Sequence, residues 1–259
     1  MNLKVLFMCG MVALFGSCAS DDPENCPEVS TTPKEVNFRI NKELATRAGK
    51  TEFAEGDAIG IFAVKHGTSD PQSCNVKWVK KDGEWEPATP QDKVLWAQDG
   101  ADLDFFAYFP YDEEAKDPEA IVFAVNTDVL RAANAEGMNE GEVELSFAHA
   151  FAMVEVTITG EGIDFLPELS LQAKNVKANG EWNIVTNAFT CSEDEAASVN
   201  FEVEDAENHI FWLVLPAQEI AEEVPFLLCD NGDISYIYTP AEAINLQAGK
   251  KQTMTITLK

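Results

Sequence analysis

Basic side chains are scarce in this 259-residue chain: 18 Lys and Arg stand against 45 Asp and Glu, a formal net charge of −27. A surface of that sign repels phosphate backbones at long range, which argues against nucleic acid as a partner. Histidine is scarcer still. His66, His149 and His209 lie far apart, show no H-x-H or H-E-x-x-H spacing and have no cysteine at ligand distance, so no metal site is announced. No G-x-S-x-G occurs, and no glycine loop follows a strand in the phosphate-cradling manner. We therefore assign no catalytic residue, metal ligand or cofactor, and expect no enzyme. Helical periodicity is nearly absent, with only Val129 to Glu136 (VLRAANAE) offering a short surface helix.

What the chain does hold is apolar: hydrophobic residues make up 46%, with 16 Phe, enough for a packed core. The patterning is β. Asp82-Gly83, Asn179-Gly180 and Asn231-Gly232 sit between apolar runs and accept the positive φ of two-residue hairpin turns. Ala152 to Thr159 alternates with period 2, Ala152, Val154, Val156 and Ile158 on one face, and Gln252 to Leu258 does the same with Met254, Ile256 and Leu258. Glu35 to Ile40 (EVNFRI) and Ala58 to Val64 (AIGIFAV) read as strands. Short strands with hairpin turns between them predict antiparallel β-sandwiches. The turn-rich stretch 160–167 suggests a boundary between two of them, giving domains over 34–163 and 164–259.

Two constellations have competing readings. Asp102 with Asp104, and Asp230 with Asp233, could offer oxygens to calcium, but neither follows a full loop pattern and the second coincides with a hairpin turn. Trp78, Trp85, Trp96, Phe105, Phe106, Tyr108, Phe109 and Tyr111 could form an exposed sugar-stacking platform. In alternating strands such residues are more often core and cross-strand pairs, which we favour.

The N-terminus has the anatomy of a secretory signal over residues 1–17: Lys4, an apolar run from Val5 to Phe15, then small residues. The run is shorter than the ~20 residues a bilayer-spanning helix needs. Leu14-Phe15-Gly16-Ser17 leading into Cys18 resembles a bacterial lipobox, which implies cleavage between Ser17 and Cys18 and acylation of Cys18. Residues 18–33, rich in Asp, Pro, Ser and Thr, read as an acidic flexible tether. Cys26, Cys74, Cys191 and Cys229 then remain, in a compartment that permits disulfides, with buried or incidental thiols favoured and no pairing deducible.

Several stretches resemble one family, the fimbrillin-like proteins of Bacteroidetes, which include type V pilus subunits. Thr46-Arg47-Ala48 followed by Phe53 to Ala63 (FAEGDAIGIFA) is similar to the family's T-R-A…W/F-x-x-G-D-x-I-G pattern. Trp96, then Asp104 to Tyr111 (DFFAYFPY), Leu145 to Ala150 (LSFAHA), Leu215-Pro216-Ala217-Gln218 and Leu246 to Lys250 (LQAGK) follow in family-like order. Asp21, Asp22 and Glu24 resemble the acidic tag that sends lipoproteins of that phylum to the outer face of the outer membrane.

The resemblance implies two transthyretin-like sandwich domains and an outer-membrane lipoprotein at the cell surface. In polymerising members, an arginine-specific protease cuts at such a place, which here is Arg47-Ala48. Loss of the preceding strand, here carrying Val36, Phe38 and Ile40, opens a groove for a neighbour's strand. The donor here is the strand carrying Met254, Ile256 and Leu258. The implied partners are other fimbrial subunits, the outer membrane through the lipid, and an adhesion ligand of unknown identity. Shaft, accessory and tip roles stay open, as does an uncleaved surface lipoprotein that binds glycans or anchors a fimbria.

Overall fold

The computed structural model describes residues 34–42, 52–160, 169–191 and 196–258, and every regular element in them is a β-strand. In chain order these are β1 (Asn37–Lys42), β2 (Ala58–Lys65), β3 (Pro71–Lys81), β4 (Glu84–Pro87), β5 (Leu103–Phe109), β6 (Leu130–Met138) and β7 (Glu142–His149). The second half holds β8 (Ala152–Gly160), β9 (Ser170–Val176), β10 (Gly180–Asn183), β11 (Ala188–Cys191), β12 (Ala197–Asn200), β13 (Glu202–Asp205) and β14 (Ile210–Leu215). It ends with β15 (Gln218–Ile220), β16 (Leu227–Asp230), β17 (Ser235–Tyr238), β18 (Ile244–Leu246) and β19 (Lys251–Leu258). The all-β expectation holds.

The first seven strands form one sheet in the order β1-β7-β6-β5-β2-β3-β4. Its middle is apolar on both faces, and the sequence shows this as apolar runs in β2 and, after Asp104, in β5. Ile59, Ile61 and Ala63 of β2, with Leu103, Phe105 and Ala107 of β5, join Val143, Leu145 and Phe147 of β7 in one core. The alternate residues Phe62, Val64, Phe106 and Tyr108 face the other way into a second cluster with Phe151, Trp182, Ile184 and Val214. Because side chains alternate along a strand, each of these strands serves two cores at once.

The later strands build a sandwich of two four-stranded sheets, β12-β9-β16-β17 and β13-β14-β8-β19, with β10-β11 and β15-β18 as separate pairs. Val154, Val156 and Ile158 of β8 meet Leu171 and Ala173 of β9 and Leu213 of β14 in its core. Strand partners therefore change between β7 and β8. The turn-rich stretch assigned to the domain boundary largely overlaps residues 161–168, which lie outside the described residues. Trp182 of β10 reaches back to the first half, where its backbone exchanges hydrogen bonds of 3.0 and 2.8 Å with Ile121.

Four expectations are corrected. Residues 130–138 are strand β6, not a helix: pairing with β5 buries Leu130 and Ala132 on alternate positions and overrides the helix preference of the alanines. Asn179-Gly180 does not turn a hairpin. Gly180 opens β10, and a Cβ there would lie 2.2 Å from the Thr190 carbonyl oxygen, so the glycine permits close approach of β11. The chain reverses after Asn183 instead, with Asn187 at φ 58°. Asp82-Gly83 does turn β3 into β4, at φ 52° and 85°. Asn231-Gly232 opens a longer turn in which the Asn231 side-chain Oδ1 accepts from the amides of Asp233 and Ile234. Finally, the sandwiches are antiparallel except at two ladders: β1 on β7 and β19 on β8 are parallel.

Candidate functional site

The two parallel ladders place the two strands of interest at sheet edges. β1 ends the first sheet, pairing from Asn37↔Glu142 to Lys42↔Phe147. Just before it, the Val36 amide donates to the Val94 carbonyl and the Trp96 amide to the Lys34 carbonyl, both at 2.9 Å. Alternation sends Val36, Phe38 and Ile40 inward. Val36 is buried, while Phe38 and Ile40 are half-buried against the same core. The Phe38 ring stands edge-on to Trp78 at 5.1 Å and to Phe105 at 5.5 Å. Phe38 and Ile40, with Phe53 and Trp85, also line a cleft of about 560 Å³ beside β1.

The floor under β1 contains two buried indoles, Trp78 and Trp96, whose N–H groups find no acceptor among the described residues. All three inward residues of β1 are apolar, so none can supply one.

The outward face of β1 is polar and charge-matched. Arg39 Nη2 donates to Glu144 Oε2 at 2.5 Å, Arg39 Nε lies 4.0 Å from Glu142, and Asn41 Nδ2 donates to Glu144 Oε1 at 2.7 Å. The hydrogen bond and charge of Arg39 hold the Glu144 carboxyl below its ordinary value, and Asn41 adds to this; Glu144 in turn raises the Arg39 guanidinium.

At the other end of the chain, β19 lies on β8 from Lys251↔Met153 to Leu258↔Gly160. Met254, Ile256 and Leu258 are half-buried against the second core, and Thr253, Thr255 and Thr257 are exposed. Lys251 pairs with Glu155. The approach to β19 is fixed at Gly249, at φ 70°, whose amide donates to the Phe151 carbonyl at 2.9 Å. β1 and β19 thus share one design: an edge strand in parallel pairing, with three inward apolar residues at alternate positions.

Residues of the quoted sequence stretches support this frame. The Asp57 carboxylate accepts from the Ala54 amide at 2.6 Å, and the Gly56 amide donates to the Lys80 carbonyl at 2.9 Å. Gly60 lies under Tyr108, whose hydroxyl donates to Asn75 Oδ1 at 2.7 Å in the interior. Gln218 clamps residue 177 from both sides, accepting from its amide and donating to its carbonyl.

Ser17, Cys18, Cys26, Arg47 and Ala48 lie outside the described residues. Cys74, Cys191 and Cys229 are free thiols, and burial pushes that of Cys229 up to about 11. The tryptophans do not form a flat exposed platform. Trp78, Trp96 and Trp182 are buried, with Phe105, Phe106 and Tyr108, and only Trp85 and Trp212 are half-buried. Asp104 is committed to the fold, accepting from the Gly67 and Gly137 amides and pairing with His66 at 2.8 Å. Asp230 is held by its own turn, accepting from the Gly232 amide and the Ser235 hydroxyl. His149 is buried and hydrogen-bonded to Asp128 at 2.7 Å. The charged partnership of Arg39 with Glu144 and the orphaned indoles went unnoticed in the sequence, because both depend on the register of β1 against β7.

Comparison with known proteins agrees with this architecture. The chain is 25% identical over 202 residues to the "Putative fimbrium subunit Fim1C" of Bacteroides uniformis, a match that spans 71% of this chain and 66% of that protein. Two crystal structures share the fold. A protein described as a "putative cell adhesion protein" of Bacteroides uniformis superposes with a TM-score of 0.65 at 19% identity, covering 85% of this chain and 93% of that one. Another of the same description, from Bacteroides ovatus, gives 0.59 at 17% identity over 87% and 92% of the two chains. The family model described as fimbrillin-like matches residues 46–259, and the chain accordingly belongs to the fimbrillin-like family.

Proposed function

We propose that this protein is a fimbrial subunit, exported as an outer-membrane lipoprotein through Cys18 and matured by cleavage between Arg47 and Ala48. Cleavage frees β1, whose remaining hold is non-covalent, and a strand of a neighbouring subunit takes its place. The observation that carries this is the seating of β1: an edge strand in parallel pairing whose Val36, Phe38 and Ile40 enter the core. An emptied edge beside stripped apolar side chains is unstable, and an incoming strand restores ladder hydrogen bonds and fills alternate pockets. β19, with Met254, Ile256 and Leu258 at the same spacing, is the strand this chain can offer onward. A head-to-tail contact of this kind does not close and so propagates into a filament. The fibre serves surface adhesion.

Mass spectrometry and N-terminal sequencing of the protein from its native outer membrane, beside an unboiled gel, test this. A chain beginning at Ala48 and a ladder of detergent-resistant multimers are expected. A lipidated Cys18 terminus with a single monomer band overturns maturation and strand exchange, and leaves a membrane-tethered anchor or surface receptor.

A further inference from the structure

We propose that the cleft between β1 and β4 is a landing site for the β19 segment of a second copy of this chain, which pairs there before β1 leaves and then displaces it step by step. The proposal rests on the strand-exchange function proposed above and names both the partner and its route of entry.

β1 and β4 are the two ends of the seven-stranded sheet, yet both line one cleft of about 560 Å³. The sheet therefore curls until its ends face each other, and the Phe38 ring of β1 meets Trp78 of β3 at 5.1 Å. As an end strand, β1 has a second backbone edge, away from β7, that no strand pairs. An edge of this kind accepts an added strand. The floor of the cleft is apolar. Phe53 is buried there, and Phe38, Ile40 and Trp85 are half-buried, with the Trp85 ring edge-on to Phe53 at 5.1 Å. A strand laid in the cleft covers the part of Phe38 and Ile40 that the seat of β1 leaves exposed.

The rim selects by charge. Glu52, Glu84 and Glu142 stand on it with Arg39 and Lys80, and both cations are already engaged, Arg39 by Glu144 and Lys80 by the Phe53 carbonyl. Residues 243–259 carry Lys250, Lys251 and Lys259 and no acid, in a chain whose net charge is −27. They combine that charge with the alternate apolar residues Met254, Ile256 and Leu258. Opposite charge on strand and rim speeds their encounter and orients it.

The position of the cleft sets the order of events. It adjoins Phe38, Arg39 and Ile40 but not Val36, and the backbone at Lys34 and Val36 is held by Trp96 and Val94. Displacement thus begins at the end of β1 nearest the proposed cut and releases Val36 last. Each β1 pairing is replaced as it is lost, because a docked strand competes at the high effective concentration of a tethered one.

The test uses the full chain with a site-specific protease sequence inserted between residues 45 and 50, nicked so that β1 stays bound only non-covalently, with a fluorophore on the N-terminal fragment. Loss of that fragment is followed after dilution alone and with increasing amounts of a peptide of residues 249–259. We expect the rate to climb with peptide concentration to roughly tenfold above spontaneous loss. The climb should be several-fold steeper in about 20 mM than in about 0.5 M salt. A Lys250→Gln/Lys251→Gln/Lys259→Gln peptide and a Glu52→Gln/Glu84→Gln chain should each lose the salt-dependent part. A Trp85→Ala chain should climb less, measured against its own spontaneous rate. Fragment loss at the spontaneous rate whatever the peptide concentration, with the peptide bound at the end, overturns the landing site and leaves strand exchange standing. A full climb in both the Trp85→Ala and Glu52→Gln/Glu84→Gln chains places docking elsewhere and overturns it as well. Equal climbs for the lysine and glutamine peptides at low salt overturn the selection of this segment by charge. Failure of the peptide to replace β1 at any concentration overturns strand exchange and the landing site with it.

Discussion

The Arg131 guanidinium of β6 reaches the far half of the molecule, donating from Nε to the Ile184 carbonyl at 2.6 Å and from Nη2 to the Val185 carbonyl at 2.9 Å. It lies over the Phe106 ring, 5.5 Å from its centroid, and burial lowers its pKa from the ordinary value. With the Ile121–Trp182 bridge and the Asn126 side chain accepting from the Val214 amide, it ties the first sheet to the second sandwich.

Arg131→Met is therefore expected to destabilise the protein. The substitution removes a costly buried cation but leaves two carbonyls without donors, and we expect the second effect to win, by about 1–3 kcal/mol. For a protein of this size that is roughly 3–10 °C in Tm. Arg131→Lys, with a point charge in place of a fork, should recover only part of the loss. Calorimetry that finds Arg131→Met as stable as the parent would show that the junction does not depend on these bonds.

Gly60→Ala tests why the sequence stretch around residue 60 needs a glycine. A Cβ at position 60 would stand 2.4 Å from both Asn75 Oδ1 and Tyr108 Cε1, so it must displace the buried Tyr108–Asn75 hydrogen bond. Overpacking of this kind costs about 1–3 kcal/mol, and losing the bond about 1 kcal/mol more. Urea unfolding should show Gly60→Ala to be more damaging than Tyr108→Phe, which loses the hydroxyl without a clash. The reverse order would mean that the ring moves aside freely.

These residues also mark how far the sequence could be read. Its turn dipeptides and period-2 runs disclosed the class of fold, and β1, β2, β8 and β19 lie within a residue or two of their expected bounds. The reason for Gly60 was invisible, because Tyr108 and Asn75 reach it only through the β3-β2-β5 pairing. Residues 130–138 misled for a related cause: two adjacent alanines favour a helix locally, and only the long-range ladder to β5 makes them a strand. Asn179-Gly180 carried a correct signal for a glycine with the wrong purpose, since close approach of β11 and a positive-φ turn select the same residue. At the candidate site, the apolar teeth of β1 and β19 were legible from alternation alone. The parallel pairing and the Arg39–Glu144 match were not, because the partner strand lies about a hundred residues away and nothing in a sequence fixes its direction.

His66 offers a pH test. Its hydrogen bond to Asp104, and the charge of that buried carboxylate, raise its pKa above the ordinary 6.5. A histidine with a raised folded pKa contributes stability that is complete below the unfolded value of 6.5 and is lost as pH rises through the folded value. An NMR titration should place His66 above the ordinary 6.5, and the stability difference between the parent and His66→Gln should shrink from pH 5.5 to pH 9. A His66 titration below 6.5, or a difference that grows with pH, would remove the charged His66–Asp104 pair from the native state.

The last prediction concerns how tightly β1 is held before any cut. Phe38 is half-buried, but its ring meets Trp78 and Phe105 edge-on, and aromatic pairs of this geometry add about 0.5–1.5 kcal/mol to the burial itself. Phe38→Ala should weaken the seat of β1 by about 2 kcal/mol, below the 3–5 kcal/mol of a fully buried Phe→Ala change. Hydrogen exchange on the intact chain locates the effect. If β1 opens as a unit of its own, amides of β1 and of the facing β7 residues should exchange about 30-fold faster, while β9 and β16 in the second sandwich keep their protection. Uniform acceleration across both halves would mean that β1 leaves only when the whole molecule unfolds. A strand so bound could not be exchanged on a nicked, otherwise folded subunit. Selective opening would identify β1 as a strand that can leave while the rest of the molecule stays folded.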